Sequence, residues 1–181
     1  MKANQLIFSA VLAIGLLTAS VTDAQTPFTQ GSNVIHAGFG LGGYGYSVYN
    51  AWPAGIVSYD RGIVDDLGIG NLGIGGVVAL KHYSYKDLDG FTFNRVFVGA
   101  RGTYHFHFVN SDKLDFYGGV MAGAFFYFGD FYGSTTYNSG PFGSALAGIN
   151  YWFTPGIGVW AEAGYGIGLI SGGISFGFGG N

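Results

Sequence analysis

The chain has 181 residues, of which 35 are glycine, 18% are aromatic, 49% hydrophobic and only 9% charged, with a formal net charge of -3. It is too aromatic and too sparsely charged to be disordered, too poor in proline (4 residues) for collagen, and without a basic surface to neutralise nucleic-acid phosphates. With 0 cysteines, disulfides, thiolate metal sites and cysteine nucleophiles are excluded.

Residues 1–24 have the three-part layout of a secretory signal: Lys2, an apolar run over 6–17, and a small polar stretch ending at Ala24, after which cleavage is expected. The apolar run is shorter than the roughly 20 residues that a membrane-spanning helix needs. A short segment, 25–32, follows.

From residue 33 the dominant signal is alternation with a period of two, the mark of a strand with two unlike faces. Ile35, Ala37, Phe39 and Leu41 alternate with His36 and glycines. The stretches 54–64 and 72–85 are less regular, and a bulge is expected near Gly75 and Gly76. In 92–108, Val96, Val98, Ala100, Tyr104, Phe106 and Phe108 share one face, while Arg95, Arg101, Thr103, His105 and His107 share the other. Leu114, Phe116, Val120, Ala122, Ala124, Phe126 and Phe128 continue the apolar face, followed by Ala145, Ala147, Ile149, Tyr151 and Phe153, then by Ile157, Val159, Ala161 and Ala163, and finally by Ile174, Phe176 and Phe178. About eight strands result, several longer than the 5 to 6 residues usual in soluble sheets and matching the roughly 9 to 11 of tilted transmembrane strands.

The connections alternate in length, as in a barrel with short periplasmic turns and longer outer loops. Short turns are expected at 65–67, 109–113 and 154–156, and loops at 47–53, 86–91, 129–141 and 166–170. Aromatics collect at both strand ends: Phe106, Phe108, Phe116, Tyr151, Phe153, Phe176 and Phe178 on the periplasmic side, and Tyr44, Tyr46, Trp52, Phe126, Phe128 and Tyr165 on the outer side. The expected fold is therefore all-β: an antiparallel up-and-down transmembrane β-barrel over 33–178, with a tail at 179–181. A soluble barrel would carry its polar face outside and would need more charge.

The charges are economical. Asp60, Lys81, Arg95, Arg101, Asp115 and Glu162 have inward parity and form the expected polar network of the lumen, because a charge at mid-depth on the lipid face costs about 2 to 4 kcal/mol. Arg101 and Glu162 fall at similar depths on nearly opposite walls, where eight strands leave only room for side chains to meet. Arg61 has outward parity and is expected at the periplasmic rim or turned by a bulge.

Residues 151–166, Tyr-Trp-Phe-Thr-Pro-Gly-Ile-Gly-Val-Trp-Ala-Glu-Ala-Gly-Tyr-Gly, resemble the penultimate hairpin of the small outer-membrane β-barrel domain family, and Gly-Ile-Ser-Phe-Gly-Phe at 173–178 resembles its closing strand. The resemblance implies an OmpA- or OmpX-like eight-stranded barrel in the outer membrane of a Gram-negative-type cell. Outer-membrane lipid and the barrel-assembly machinery would be its partners.

Other motifs are weaker. Gly38-Phe-Gly40-Leu-Gly42-Gly43 and Gly68-Ile-Gly70-Asn-Leu-Gly73 match a dinucleotide fingerprint in letters alone, since neither opens a helix. His105 and His107 share the inward parity as a metal pair would, but no spacing fixes a third ligand. His82 and Ser84 share one face near an outer strand end, with Asp87 and Asp89 nearby, and resemble the His-x-Ser pair of lipid A deacylase barrels; Tyr85 stands where those have Asn. The expectation is thus a non-enzymatic barrel without catalytic residues, cofactor or metal. Its role is structural, or interactive through the Tyr-, Ser- and Thr-rich 129–141 loop, with a narrow pore, OmpW-like transport of apolar molecules, or an acyl hydrolase using His82 and Ser84 as alternatives.

Overall fold

The computed structural model of the protein describes residues 28–42, 49–85, 92–108, 111–129 and 139–180. The expected signal segment, Tyr44, Tyr46, the 86–91 loop with Asp87 and Asp89, and most of the 129–141 loop lie outside the described residues.

Strands form where the alternation runs: β1 (Asn33–Leu41), β2 (Tyr49–Ala51), β3 (Ala54–Val64), β4 (Gly70–Tyr85), β5 (Thr92–Phe106), β6 (Leu114–Gly129), β7 (Gly140–Thr154), β8 (Ile157–Gly164) and β9 (Ile170–Phe178). All pairings are antiparallel, and sequential neighbours pair from β3 to β9. β1 then pairs with both β3 and β9, which closes the sheet on itself. β2 continues the wall beyond β3, since both pair with β4 on the same side and only Trp52 and Pro53 separate them. The result is an eight-stranded up-and-down barrel, and closure satisfies the backbone hydrogen bonds that a membrane would leave unmet at a sheet edge.

The expected parity holds along the walls. Val57, Val78, Val98, Val120, Val159 and Ile174 are exposed on the outside, while Ile56, Val77, Phe97, Met121, Trp160 and Ser175 are buried inside. Exposed aromatics mark the two rims: Phe108, Tyr151, Phe153 and Phe178 at the short-turn end, and Trp52, Phe126, Phe128 and Tyr165 at the other. This is the surface of a molecule whose solvent is hydrocarbon between two interfaces.

Several local expectations are corrected. The expected bulge at Gly75 and Gly76 is absent; β4 pairs in unbroken register there, because the bare glycine backbone lies close against Tyr59 of β3. The register instead shifts between Gly62 and Val64, and again between Trp152 and Thr154. The 47–53 loop contains β2. Around the expected 166–170 loop, Gly166, Ile167 and Gly168 are buried, so this connection dips into the barrel mouth.

The lumen has three layers. Ala54, Ile56, Val77, Ala79, Phe97, Met121, Phe125 and Ile167 fill the outer half, with Tyr127 and Phe142 packed against them, and Trp160, the register partner of Asn150, extends this cluster into the waist. Polar side chains occupy the waist. Below them Phe28, Val34 and Trp152 cluster at the periplasmic end. Phe28 belongs to the segment before β1, which folds back over the rim: Gly31 N–H donates to Gly62 O (3.0 Å), and Asn71 Nδ2 donates to Phe28 O (2.6 Å).

Candidate functional site: the lumen waist

Seven of the eight wall strands send a polar side chain into the waist. Arg101, from β5, is its hub. Its Nε lies 3.1 Å from Asp60 Oδ1 on β3, its Nη2 donates to Glu162 Oε1 on β8 (2.7 Å), and its Nη1 donates to Ser58 Oγ (3.1 Å). Tyr117, from β6, donates its hydroxyl to the same Glu162 oxygen (2.9 Å). A buried ion is tolerable only where partners replace its water, and here one guanidinium answers two carboxylates on different walls.

A second chain of contacts runs around the barrel and rejoins the first. Asp115 on β6 accepts from His105 Nδ1 (2.8 Å) and from Asn150 Nδ2 on β7 (3.1 Å). Ser175 on β9 donates to Asn150 Oδ1 (2.9 Å), so its oxygen accepts from Nδ1–H of His36 on β1 (3.0 Å). His36 Nε2 then faces Asp60 Oδ2 at 3.7 Å. His105 is flanked on its other edge by Thr103 Oγ1 (3.1 Å), and its ring stacks on Phe28, with centroids 3.7 Å apart. Asn150 and Ser175 are fully buried, so each of these contacts is made away from bulk water.

The six residues expected to form one network therefore divide. Asp60, Arg101 and Glu162 meet directly, and Asp115 joins them through Asn150, Ser175 and His36. Lys81 and Arg95 stand higher, as in-register neighbours on β4 and β5 in the apolar half. Lys81 Nζ donates to Gly42 O (2.6 Å), and the Arg95 guanidinium lies 3.4 Å from the centre of the Phe125 ring. Between them a cavity of about 10 Å³, lined by Ala54, Ala79, Phe97 and Ile167, has room for about one water.

Three other residues singled out by the sequence take the following positions. His107 lies beyond the end of β5 and is exposed, so it does not pair with His105 inside the barrel. Arg61 keeps its outward parity at the periplasmic rim. His82 is on the outer wall near the outer end of β4, with Nδ1 3.0 Å from Asn94 Oδ1, and Asp87 and Asp89 lie outside the described residues.

Parity alone singled out the charges. It did not join Asn150 and Ser175 to the network, because the partner of an uncharged inward residue depends on which strands lie side by side after closure. Phe28 was invisible to it altogether, lying outside any alternating stretch.

A closed barrel, apolar outside and packed with polar and aromatic groups inside, defines the class: an eight-stranded transmembrane barrel of the outer-membrane type. Neither a protein-family model nor a curated protein matches the chain. Among solved structures, it is similar to Ail, the attachment invasion locus protein of Yersinia pestis, at 14% identity over 83% of this chain and 100% of that one, with a TM-score of 0.52. The same protein in complex with the heparin analogue sucrose octasulfate matches with a TM-score of 0.50, at the same identity and coverage. The outer membrane protein OprG from Pseudomonas aeruginosa matches over 84% of this chain and 98% of that one, at 14% identity and a TM-score of 0.55.

Proposed function

We propose that the protein is a non-conducting outer-membrane barrel with a structural or surface-interaction role, its lumen closed by its own side chains. The observation that carries this reading is the bridge from Asp60 through Arg101 to Glu162, which links three walls at the waist. The apolar outer half and the Phe28 segment support it, because a solute would have to displace packed aromatic rings before and after meeting the ion pairs. Opening such a path separates a buried ion pair and leaves its charges uncompensated away from water, which is strongly unfavourable.

The interaction half of the reading rests on the 129–141 loop, whose Tyr132, Ser134, Thr135, Thr136 and Tyr137 are residues suited to polar and stacking contacts with an extracellular ligand. That Ail, a barrel of the same fold, is found in complex with the heparin analogue sucrose octasulfate supports an interaction role. Flux assays in proteoliposomes test the closed lumen: the account expects no release of small ions or sugars above that of protein-free vesicles. Binding of the protein to intact cells or matrix, compared with a variant lacking 130–138, tests the loop. A variant that binds as the wild type does would remove the loop from the proposal.

A further inference from the structure

We propose that the outer wall carries a docking site for the phosphate of a phospholipid in the periplasmic leaflet, built from Arg61 and braced by Asn33 and Tyr59. Arg61 on β3 lies directly opposite Asn33 on β1, and Tyr59 is one step further up the same face. Asn33 Oδ1 accepts from the Tyr59 hydroxyl (2.7 Å) and from Arg61 Nη1 (3.2 Å). The amide is pinned at its other end, where Nδ2 donates to Gly31 O (2.8 Å) and Phe178 O (3.2 Å). Its carbonyl is thereby fixed toward the guanidinium.

Depth assigns the surroundings. Asn33 pairs with Phe178, the last residue of β9, and the outward aromatics Phe176 and Phe178 stand in the same band. That is headgroup level, where a cation on the lipid face costs about 0 to 1 kcal/mol, against about 2 to 4 at the midplane. Interfacial placement explains why an arginine is tolerated here. It does not explain the brace, since an arginine that merely reaches for water needs no bracket and loses entropy when held by one.

Chemistry supplies the ligand. A guanidinium has five N–H donors, and one nitrogen engaged by Asn33 leaves the rest of the fork for a planar bidentate contact with phosphate oxygens. Among the described residues Arg61 makes no ion pair with a carboxylate. The carboxylate in the adjoining turn, Asp65, accepts from the backbone N–H of Gln30 (2.6 Å). The inference rests on insertion in the membrane and is independent of whether the lumen conducts.

Native mass spectrometry of the folded protein in mild detergent tests it, after incubation with phosphatidylglycerol, phosphatidylethanolamine or diacylglycerol. The wild type is expected to retain one molecule of either phospholipid and no diacylglycerol. Arg61→Gln should lower retention about tenfold, equivalent to about 1.4 kcal/mol. Arg61→Lys keeps the charge but not the fork, and should also fall clearly below the wild type. Tyr59→Phe, which leaves Arg61 intact but loosens its brace, should give a smaller loss. Heat-modifiable gel mobility confirms that each variant is folded. Equal retention by Arg61→Lys and the wild type, unchanged retention by Arg61→Gln, or retention of diacylglycerol would each overturn the proposal.

Discussion

Gly148 on β7 is the bed on which the Tyr117 side chain lies: a Cβ at this position would stand 2.6 Å from the Tyr117 hydroxyl oxygen, with the ring closer still. That hydroxyl is the one donated to Glu162, the register partner of Gly148 on β8. Gly148→Ala is therefore expected to push Tyr117 off Glu162 and to destabilise the barrel by about 1 to 3 kcal/mol, as overpacking does. Tyr117→Phe removes only the hydrogen bond to the carboxylate and should cost about 1.5 to 3 kcal/mol. Urea unfolding from lipid vesicles orders the two, and a Gly148→Ala variant as stable as the wild type would contradict the packing described.

Removing the hub is costlier than removing a spoke. Arg101→Met leaves Asp60 and Glu162 buried without their shared cation, and should destabilise by about 3 to 5 kcal/mol. Arg101→Met combined with Glu162→Gln should recover part of that loss, because one orphaned charge is neutralised. Additive losses in this double-mutant cycle would mean that the two residues do not act on each other.

Phe28 stacks on His105 at the periplasmic end of the barrel. Phe28→Ala should lower stability by about 3 to 5 kcal/mol, the range for a buried phenylalanine truncated to alanine. It should also speed amide hydrogen exchange in 28–34 while leaving β6 and β7 unchanged. Slow exchange persisting in 28–34 would show that the segment is held without its aromatic anchor.

The lipid-facing wall is tested by depth. Val120, 64% exposed near the middle of β6, should tolerate lysine poorly, at about 2 to 4 kcal/mol. Ile157, at the start of β8 by the rim, should tolerate it at about 0 to 1 kcal/mol. Folding yields and unfolding midpoints in phosphatidylcholine vesicles give the comparison, and equal tolerance at both sites would contradict a membrane boundary between them.

The architecture was legible wherever the two faces differ in chemistry. β6, β7 and β8 alternate apolar residues with glycine, Ser144, Asn150 and Glu162, and their register follows directly. β4 was harder to read, since in its middle Val77 and Ala79 point inward while Val78 and Leu80 point outward. Both faces are apolar there because the outer half of the lumen is packed like a core, so a period of two leaves no contrast. Of the waist, Arg101 with Glu162 was foreseeable from depth and parity. The contacts through Asn150, Ser175 and His36 depend on which strands lie beside each other after closure, and the Phe28 segment depends on the chain folding back over the rim. Neither is encoded in a local pattern.

Single-channel recording in planar bilayers is the most direct test of a lumen closed at the waist, comparing the wild type with a variant carrying Asp60→Asn, Arg101→Ser and Glu162→Gln together. The account predicts a silent wild type and, in the variant, discrete openings or at least a rise in ion leak as the bridge across the three walls is lost. Steady unitary currents through the wild-type barrel, left unchanged by the triple substitution, would contradict it.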